Sequence, residues 1–247
     1  MDKLVTTAKE EFWNAEAYAR DRWVQKQAQT LRSGSWVLDA GAGASKYRPF
    51  FQHCRYETQD FCQYEGKLVK YVEPINYVCD ITAIPLPSAC LDAVLCTEVL
   101  EHVPDPVAVL KEFSRLLKAG GRLFVTAPFV SASHMEPYHF YSGFTCYWYR
   151  HWLPKHGLAV DETTAMGGPG RTCVVFAQLL YSLCGEAERP LTGFRRFRSK
   201  FLRALAKGPV HVLLPRLLPR LDPWLGTDQV CSTYLVAATR LDTQSMV

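Results

Sequence analysis

The tightest group of residues able to do chemistry in this sequence is Asp39-Ala40-Gly41-Ala42-Gly43. Gly41 and Gly43 permit backbone conformations and close ligand approach that a Cβ would hinder. A helix starting just after them would offer free N–H groups to a polar or anionic ligand. About 20 residues after the first strand, Asp60 supplies a carboxylate that can accept hydrogen bonds from a ribose diol. Farther along, His134 and His139 flank Glu136-Pro137-Tyr138, and histidine is the side chain best tuned to take a proton near neutral pH. Glu98, Glu101 and His102 stand at i, i+3 and i+4, a spacing that could gather three metal ligands on a helix. Glu101 can equally cap or solvate a helix start, and His102 can pack beneath Val103-Pro104. With only one side of a coordination shell visible, no metal is assigned.

These groups need elements to carry them. Trp36-Val37-Leu38 reads as a buried strand ending at the glycine turn, followed by a helix from Tyr47 to Gln52. Arg55–Phe61, Leu91–Cys96 and Arg122–Ala127 read as further strands. A helix over Val107–Leu117 is expected to stop at Ala119-Gly120-Gly121. Alternation of strands and helices implies right-handed crossovers and a parallel sheet covered on both faces. The expected fold is therefore α/β: a doubly wound, mostly parallel, seven-stranded Rossmann-like sheet with a helical insertion before the last strand. Within a single domain of 247 residues, residues 1–35 form a helical cap, with the helix over Ala8–Leu31. Residues 36–164 plus 231–240 form the core, and 165–230 the basic insertion.

After VLDAGAG the chain runs through Cys79-Asp80-Ile81, then IPLPSACLDAVLCTEVLEHVPDP, then LKAGGRLFVTAP. In that order these segments resemble the class I S-adenosylmethionine-dependent methyltransferases, in particular the type 11 group, from about Trp36 to Pro128 and more weakly to Val160. The resemblance implies that Asp39, Gly41 and Gly43 lie near the amino-acid and sulfonium portion of S-adenosylmethionine. It makes Asp60 the ribose-binding acid, Asp80 the partner of the adenine amino group with Ile81 packed on the ring, and Glu98 part of the pocket wall. Asp92 matches an acid that opens the fourth strand and is read as structural. After Gly43 come Ser45 and then Lys46, with no third glycine of a dinucleotide fingerprint, which disfavours a nicotinamide oxidoreductase. A catalytically silent binding or scaffold protein keeping the same fold is the alternative reading.

Methyl transfer from a sulfonium is an in-line displacement, so most of the acceleration can come from positioning. A base is needed only where the acceptor must lose a proton, and His134 and His139 are the candidates, with Tyr138 and Tyr141 lining the acceptor pocket. Phe144, Trp148 and Trp152 recur every four residues and are expected to pack a helix on the sheet. In the insertion, Phe194 to Leu221 carries eight basic residues and no acid, against a net charge of +4 for the chain. Phe194, Phe197, Phe201 and Leu205 follow helical spacing there. The helix is read first as a charged face over an ordinary packing helix, with contact to an anionic membrane through 194–221 as the alternative. The acceptor is expected to be a small or lipid-like molecule methylated at oxygen. No nucleic-acid recognition module is evident, and the oligomeric state is not legible. Nine cysteines without a CxxC pair, and a start without an apolar signal core, suggest a cytoplasmic protein with peripheral membrane contact as an option.

Overall fold

The computed structural model describes residues 15–66, 68–71, 74–187, 190, 192–225 and 230–242. The chain divides into two compact units, one up to Thr164 together with the segment from Thr233 onward, the other Ala165–Ser232.

The first unit is built on a seven-stranded sheet of order β3-β2-β1-β4-β5-β7-β6. Its strands are β1 (Trp36–Ala40), β2 (Arg55–Asp60), β3 (Tyr77–Val78), β4 (Leu91–Thr97), β5 (Leu117–Pro128), β6 (Leu158–Met166) and β7 (Thr233–Arg240). β1 pairs in parallel with β2 and with β4, β2 with β3, and β4 with β5. β7 runs antiparallel to β5. The chain therefore builds outward from β1 in one direction through β2 and β3, then returns to place β4 on the other side. That reversal opens a crevice beyond the carboxyl ends of β1 and β4, where open α/β sheets bind ligands. The strands beside it are apolar on both faces. Val37, Leu38, Val94, Leu95, Phe124 and Val125 are all fully buried, as expected for strands covered by helices on either side. Asp92 is structural: its carboxylate accepts from Trp36 N (2.7 Å) and from Lys118 Nζ (2.6 Å), tying the starts of β1 and β5 to β4.

Several elements differ from the sequence expectation. Helix α1 spans Ala15–Ala28; the part expected over Ala8–Asn14 lies outside the described residues. Trp23 on α1 meets Phe124 edge-on at 6.2 Å, and its indole N–H donates to Glu162. The helix expected after the glycine turn is instead one 3₁₀ turn, Arg48–Phe51. Pro49 lacks the N–H a longer helix needs, and β2 begins soon afterwards at Arg55. Helix α2, Pro106–Leu116, starts as its sequence dictates, with the Asp105 carboxylate accepting from Ala108 N at 2.9 Å and Pro106 in its first turn. It ends at Leu116 without a glycine stop. Gly120 and Gly121 sit in β5, where the register to β4 shifts between Leu91 and Ala93, so they serve a strand irregularity.

Helix α3, Cys146–Lys155, is capped by Thr145 and buries Cys146, Tyr149 and Leu153. Phe144, just before the helix, is buried as the aromatic spacing expects, but Trp148 and Trp152 are only half-buried, so within the helix that spacing misplaces the packed face. The register is set by the Thr145 cap, which turns Tyr149 inward.

The second unit contains α4 (Pro169–Ala187), α5 (Gly193–Gly208) and a run of short helical turns through Leu225. Asp222 accepts from Gly170 N at 2.6 Å, and a Cβ on Gly168 would come within 2.4 Å of the Asp222 side chain. No residue of α5 is buried. Phe194, Phe197, Phe201 and Leu205 are 55 to 75% exposed, so the helix has the expected amphipathic spacing but not the packed apolar face. No helix among the described residues is long and apolar enough to cross a membrane.

Candidate active site

The crevice at the sheet reversal holds a cavity of about 340 Å³, within the size range of small-molecule sites. Gly41 and Gly43 form its floor at the end of β1, both with positive φ (74° and 52°). Gly41 N donates to Gln59 O at 2.8 Å, fixing the turn against β2. A Cβ at Gly41 would stand 2.4 Å from Val99 Cγ2, so the turn can approach the segment after β4 only as glycine.

Asp60, at the end of β2, is nearly buried and lines the cavity. Its Oδ2 accepts from Gly43 N at 2.9 Å, and its Oδ1 from Cys62 N (3.0 Å) and Tyr71 OH (3.1 Å). A carboxylate has about four lone-pair sites, so acceptor capacity remains on Oδ2. Asp80 and Ile81 lie on the same wall. Asp80 Oδ1 caps its own turn through Thr82 N and Oγ1, at 2.8 and 2.7 Å. Glu98 also lines the cavity. It takes a left-handed backbone (φ 55°) just after β4 and is held by Thr126 Oγ1 (2.9 Å) and Arg20 (3.2 Å).

The opposite rim comes from the segment between β5 and α3. Its ends are closed by Ser131 N to Ser142 O (2.6 Å) and Phe144 N to Pro128 O (2.8 Å), and Phe140 N reaches Glu101 O at 2.8 Å. Tyr138 lines the cavity and meets Phe61 edge-on at 5.0 Å. Behind it, three imidazoles gather: His102 lies 4.7 Å from His134 and 5.7 Å from His139 between ring centroids, and His134 lies 4.8 Å from His139. Burial, with help from the two neighbouring imidazoles, pulls His102 down to about 4; burial and His134 also lower His139. Both are neutral at physiological pH. Burial and the nearby Glu98 push Glu101 up to about 8.

The cavity thus brings together Gly41, Gly43, Asp60, Asp80, Ile81, Glu98 and Tyr138, all singled out from the sequence. Asp39, His134, His139 and Tyr141 are not on its wall. Asp39 is wholly enclosed, accepts from Tyr56 OH, and is raised to about 7 by burial and by the like charge of Asp60. It buttresses the turn from behind because β1 directs its side chain away from the opening. Tyr141 donates its hydroxyl to Pro104 O at 2.9 Å, bracing the rim. His134 and His139 reach the cavity only through His102, which does line it. The sequence grouped His102 with Glu98 and Glu101, with packing beneath Val103-Pro104 as its other reading, and did not place it on this wall. Its i+4 spacing from Glu98 was visible, but its partners come from a distant segment. Tyr71 and Gln59, also on the wall, lie at positions that carry no recognisable signal.

Comparison with known proteins gives one family match: residues 38–125 match the family described as a methyltransferase domain. Among curated proteins, the ubiquinone biosynthesis O-methyltransferase of Xanthomonas oryzae pv. oryzae is 60% identical over 35 residues, 14% of this chain and 15% of that protein. The corresponding protein of Coxiella burnetii is 45% identical over 51 residues, 20% of this chain and 22% of that one. The aligned segments thus span only 15% and 22% of these relatives' length. Among solved structures, a protein provisionally described as a sarcosine dimethylglycine methyltransferase from Galdieria sulphuraria superposes with a TM-score of 0.57 at 15% identity, covering 92% of this chain and 87% of that one. The cyclase SpnF gives 0.55 at 15% identity, covering 91% and 82%. These likenesses show the fold, which hosts more than one activity.

Proposed function

We propose that the protein, whose residues 38–125 match the family described as a methyltransferase domain, is an S-adenosylmethionine-dependent methyltransferase acting at oxygen on a small, lipid-like acceptor. The observation that carries this reading is the single cavity wall shared by Gly41, Gly43, Asp60, Asp80 and Ile81. A glycine floor that a Cβ would fill, an acid with acceptor capacity left and a second acid beside a buried isoleucine fit a sulfonium amino acid, a ribose and a purine in that order. Gly41 and Gly43 would take the amino-acid end, Asp60 the ribose hydroxyls, and Asp80 the adenine amino group with Ile81 against the ring. The cofactor supplies an electrophilic methyl group: the acceptor oxygen's lone pair forms the C–O bond as the C–S bonding electrons return to sulfur.

The chain's own contribution is to hold and to deprotonate. Tyr138 and Phe140 confine the acceptor on the rim. An acceptor hydroxyl gives up its proton by way of His102, the imidazole on the cavity wall, to His139 behind it as the base. One ring nitrogen of His139 is engaged with Ser131 Oγ at 3.1 Å, leaving the other for the proton. The ubiquinone-pathway relatives act, by their names, as O-methyltransferases, and that short likeness supports an oxygen acceptor on a lipid-like molecule. The exposed row Phe194, Phe197, Phe201 and Leu205, flanked by Arg196, Lys200 and Arg203, supports a peripheral contact with an anionic membrane surface where such acceptors reside.

Binding calorimetry with S-adenosylmethionine and S-adenosylhomocysteine tests the core of the proposal. Both should bind the native chain, more than about tenfold more weakly to Asp60→Ala, and not measurably to Gly41→Val. Absence of heat with the native chain would favour the scaffold reading.

A further inference from the structure

The connection from β2 to β3, residues 61–76, has no helix among its described residues, although a parallel crossover of this length commonly carries one. Loops this long without secondary structure are uncommon, and are either functional or mere linkers. This one is no linker, because it folds back onto the cavity from both ends. Cys62 takes a left-handed backbone (φ 54°), which turns its N–H onto Asp60 Oδ1 at 3.0 Å. At the far end, Asn76 Oδ1 accepts from Thr58 N (2.9 Å) and Thr58 Oγ1 (3.0 Å), fastening the chain to β2. Between these fixed points Gln63, Val69 and Tyr71 reach the cavity wall, and Tyr71 donates its hydroxyl to Asp60 Oδ1 at 3.1 Å.

The lone pairs of Asp60 then decide how a sugar can be held. Each carboxylate oxygen offers about two acceptor sites. Oδ1 has both filled, by Cys62 N and Tyr71 OH, and Oδ2 has one filled, by Gly43 N at 2.9 Å. One site remains, whereas a vicinal diol brings two donors. Gln59, the neighbour along β2, is committed to Gly41 N (3.2 Å) and Cys79 O (2.7 Å). The phenol oxygen of Tyr71 is the acceptor beside the remaining site. Burial, and then the adjacent Asp60 carboxylate, push the Tyr71 hydroxyl above its usual range, so it stays a neutral donor to Oδ1 while its oxygen can still accept. Donating to a carboxylate makes that oxygen a better acceptor, since each bond in such a chain polarises the next.

We propose that Tyr71 is a cofactor-binding residue: its phenol oxygen takes one hydroxyl of the ribose while Asp60 Oδ2 takes the other, so that the two side chains together select a cofactor with an intact 2′,3′-diol. This rests on the S-adenosylmethionine reading of the cavity and sharpens its ribose assignment. A cofactor lacking either hydroxyl leaves one of the two acceptors unpaired against the cavity wall, which costs affinity. The non-helical path from β2 to β3 thereby has a task, since a helix leading away from Asp60 would not return a side chain to the same carboxylate.

The test is calorimetric titration of the full-length chain and of Tyr71→Phe with S-adenosylhomocysteine and with its 2′-deoxy and 3′-deoxy counterparts. The native chain should bind both deoxy compounds more weakly than the parent, by more than about tenfold for the hydroxyl on the charged Asp60 and roughly three- to tenfold for the one on the neutral phenol. Tyr71→Phe should weaken the parent roughly three- to tenfold. It should also abolish the penalty for one deoxy compound alone and keep the other within about twofold. A Tyr71 that only supports the loop would weaken all three ligands by the same factor and preserve both penalties, which overturns the proposal. Unchanged or tighter binding of the parent by Tyr71→Phe does so too, tighter binding being the sign of a phenol that competes with the ribose for Oδ1. Each of these results leaves the S-adenosylmethionine reading standing, whereas no heat from the native chain with any of the three compounds overturns both.

Discussion

Asp39 shows how a residue beside the site can act on the fold without touching a ligand. Its carboxyl is enclosed on β1, hydrogen-bonded by Tyr56 and faced by Arg48, which favour the charged form, and by Asp60, which opposes it. Burial, reinforced by Asp60, outweighs the other two and raises it from the ordinary 3.8 to about 7. Between these values the unfolded chain releases a proton that the folded chain keeps. Asp39 therefore stabilises the fold fully below about pH 4, and that contribution is lost as pH rises through about 7. Asp39→Asn, which does not titrate, should gain on the native chain by a few kcal/mol between about pH 4 and pH 8, read from urea unfolding at both ends. A stability difference independent of pH would mean that Asp39 is charged throughout. The glycines, Asp60 and Asp80 were legible in the sequence because backbone geometry and ligand chemistry leave few residue types able to serve. The inward turn of Asp39 was not, since strand alternation is hidden when both faces of a sheet are apolar.

At the scale of elements, the rim between β5 and α3 depends on one close approach. A Cβ on Gly143 would lie 1.9 Å from Phe129 O, an atom of the backbone that cannot rotate away. Gly143→Ala should therefore cost roughly 1–3 kcal/mol and lower the thermal midpoint by several degrees. It should also raise the acceptor KM more than it changes S-adenosylmethionine affinity, because the rim carries Tyr138 and the histidines while the cofactor wall comes mainly from β1, β2 and β4. An unchanged midpoint would show that the rim accommodates the methyl group. Helix α5 presents the opposite case, an element whose sequence pattern was read correctly but whose surroundings were not. Its three-to-four spacing foretold an amphipathic helix, but spacing does not say whether a neighbour covers the apolar side. Phe197→Glu with Phe201→Glu should reduce retention on anionic vesicles at low salt at least about tenfold and leave S-adenosylmethionine binding unchanged. Equal retention of native and variant chains would remove the membrane role. The missed 3₁₀ turn after β1 and the glycines inside β5 belong to this scale as well, because local propensity yields where a short crossover or a register shift dictates the path.

Across the whole molecule, the strand-helix alternation announced the sheet, and the reversal at β1 and β4 announced where a ligand would lie. What the sequence could not convey was convergence: Glu101 and His134 are distant in the chain, and only the return of the rim to Glu101 O brings them together. The same holds for the segment from Ala165 to Ser232, whose composition marks it as distinct without telling what it covers. Replacing 167–231 with a short turn should leave S-adenosylmethionine affinity within about twofold while abolishing vesicle retention. Loss of cofactor binding would show instead that the core needs this segment to fold.

Such a replacement is feasible because Ser232 donates both its N–H and its hydroxyl to Met166 O, at 3.0 and 2.7 Å. The excursion begins and finishes at the same stitch, at the inner ends of two adjoining strands. A loop tied off in this way can lengthen, shrink or be exchanged by recombination without altering the register of the strands it joins, and the cavity walls, all drawn from residues 41–140, stay as they are.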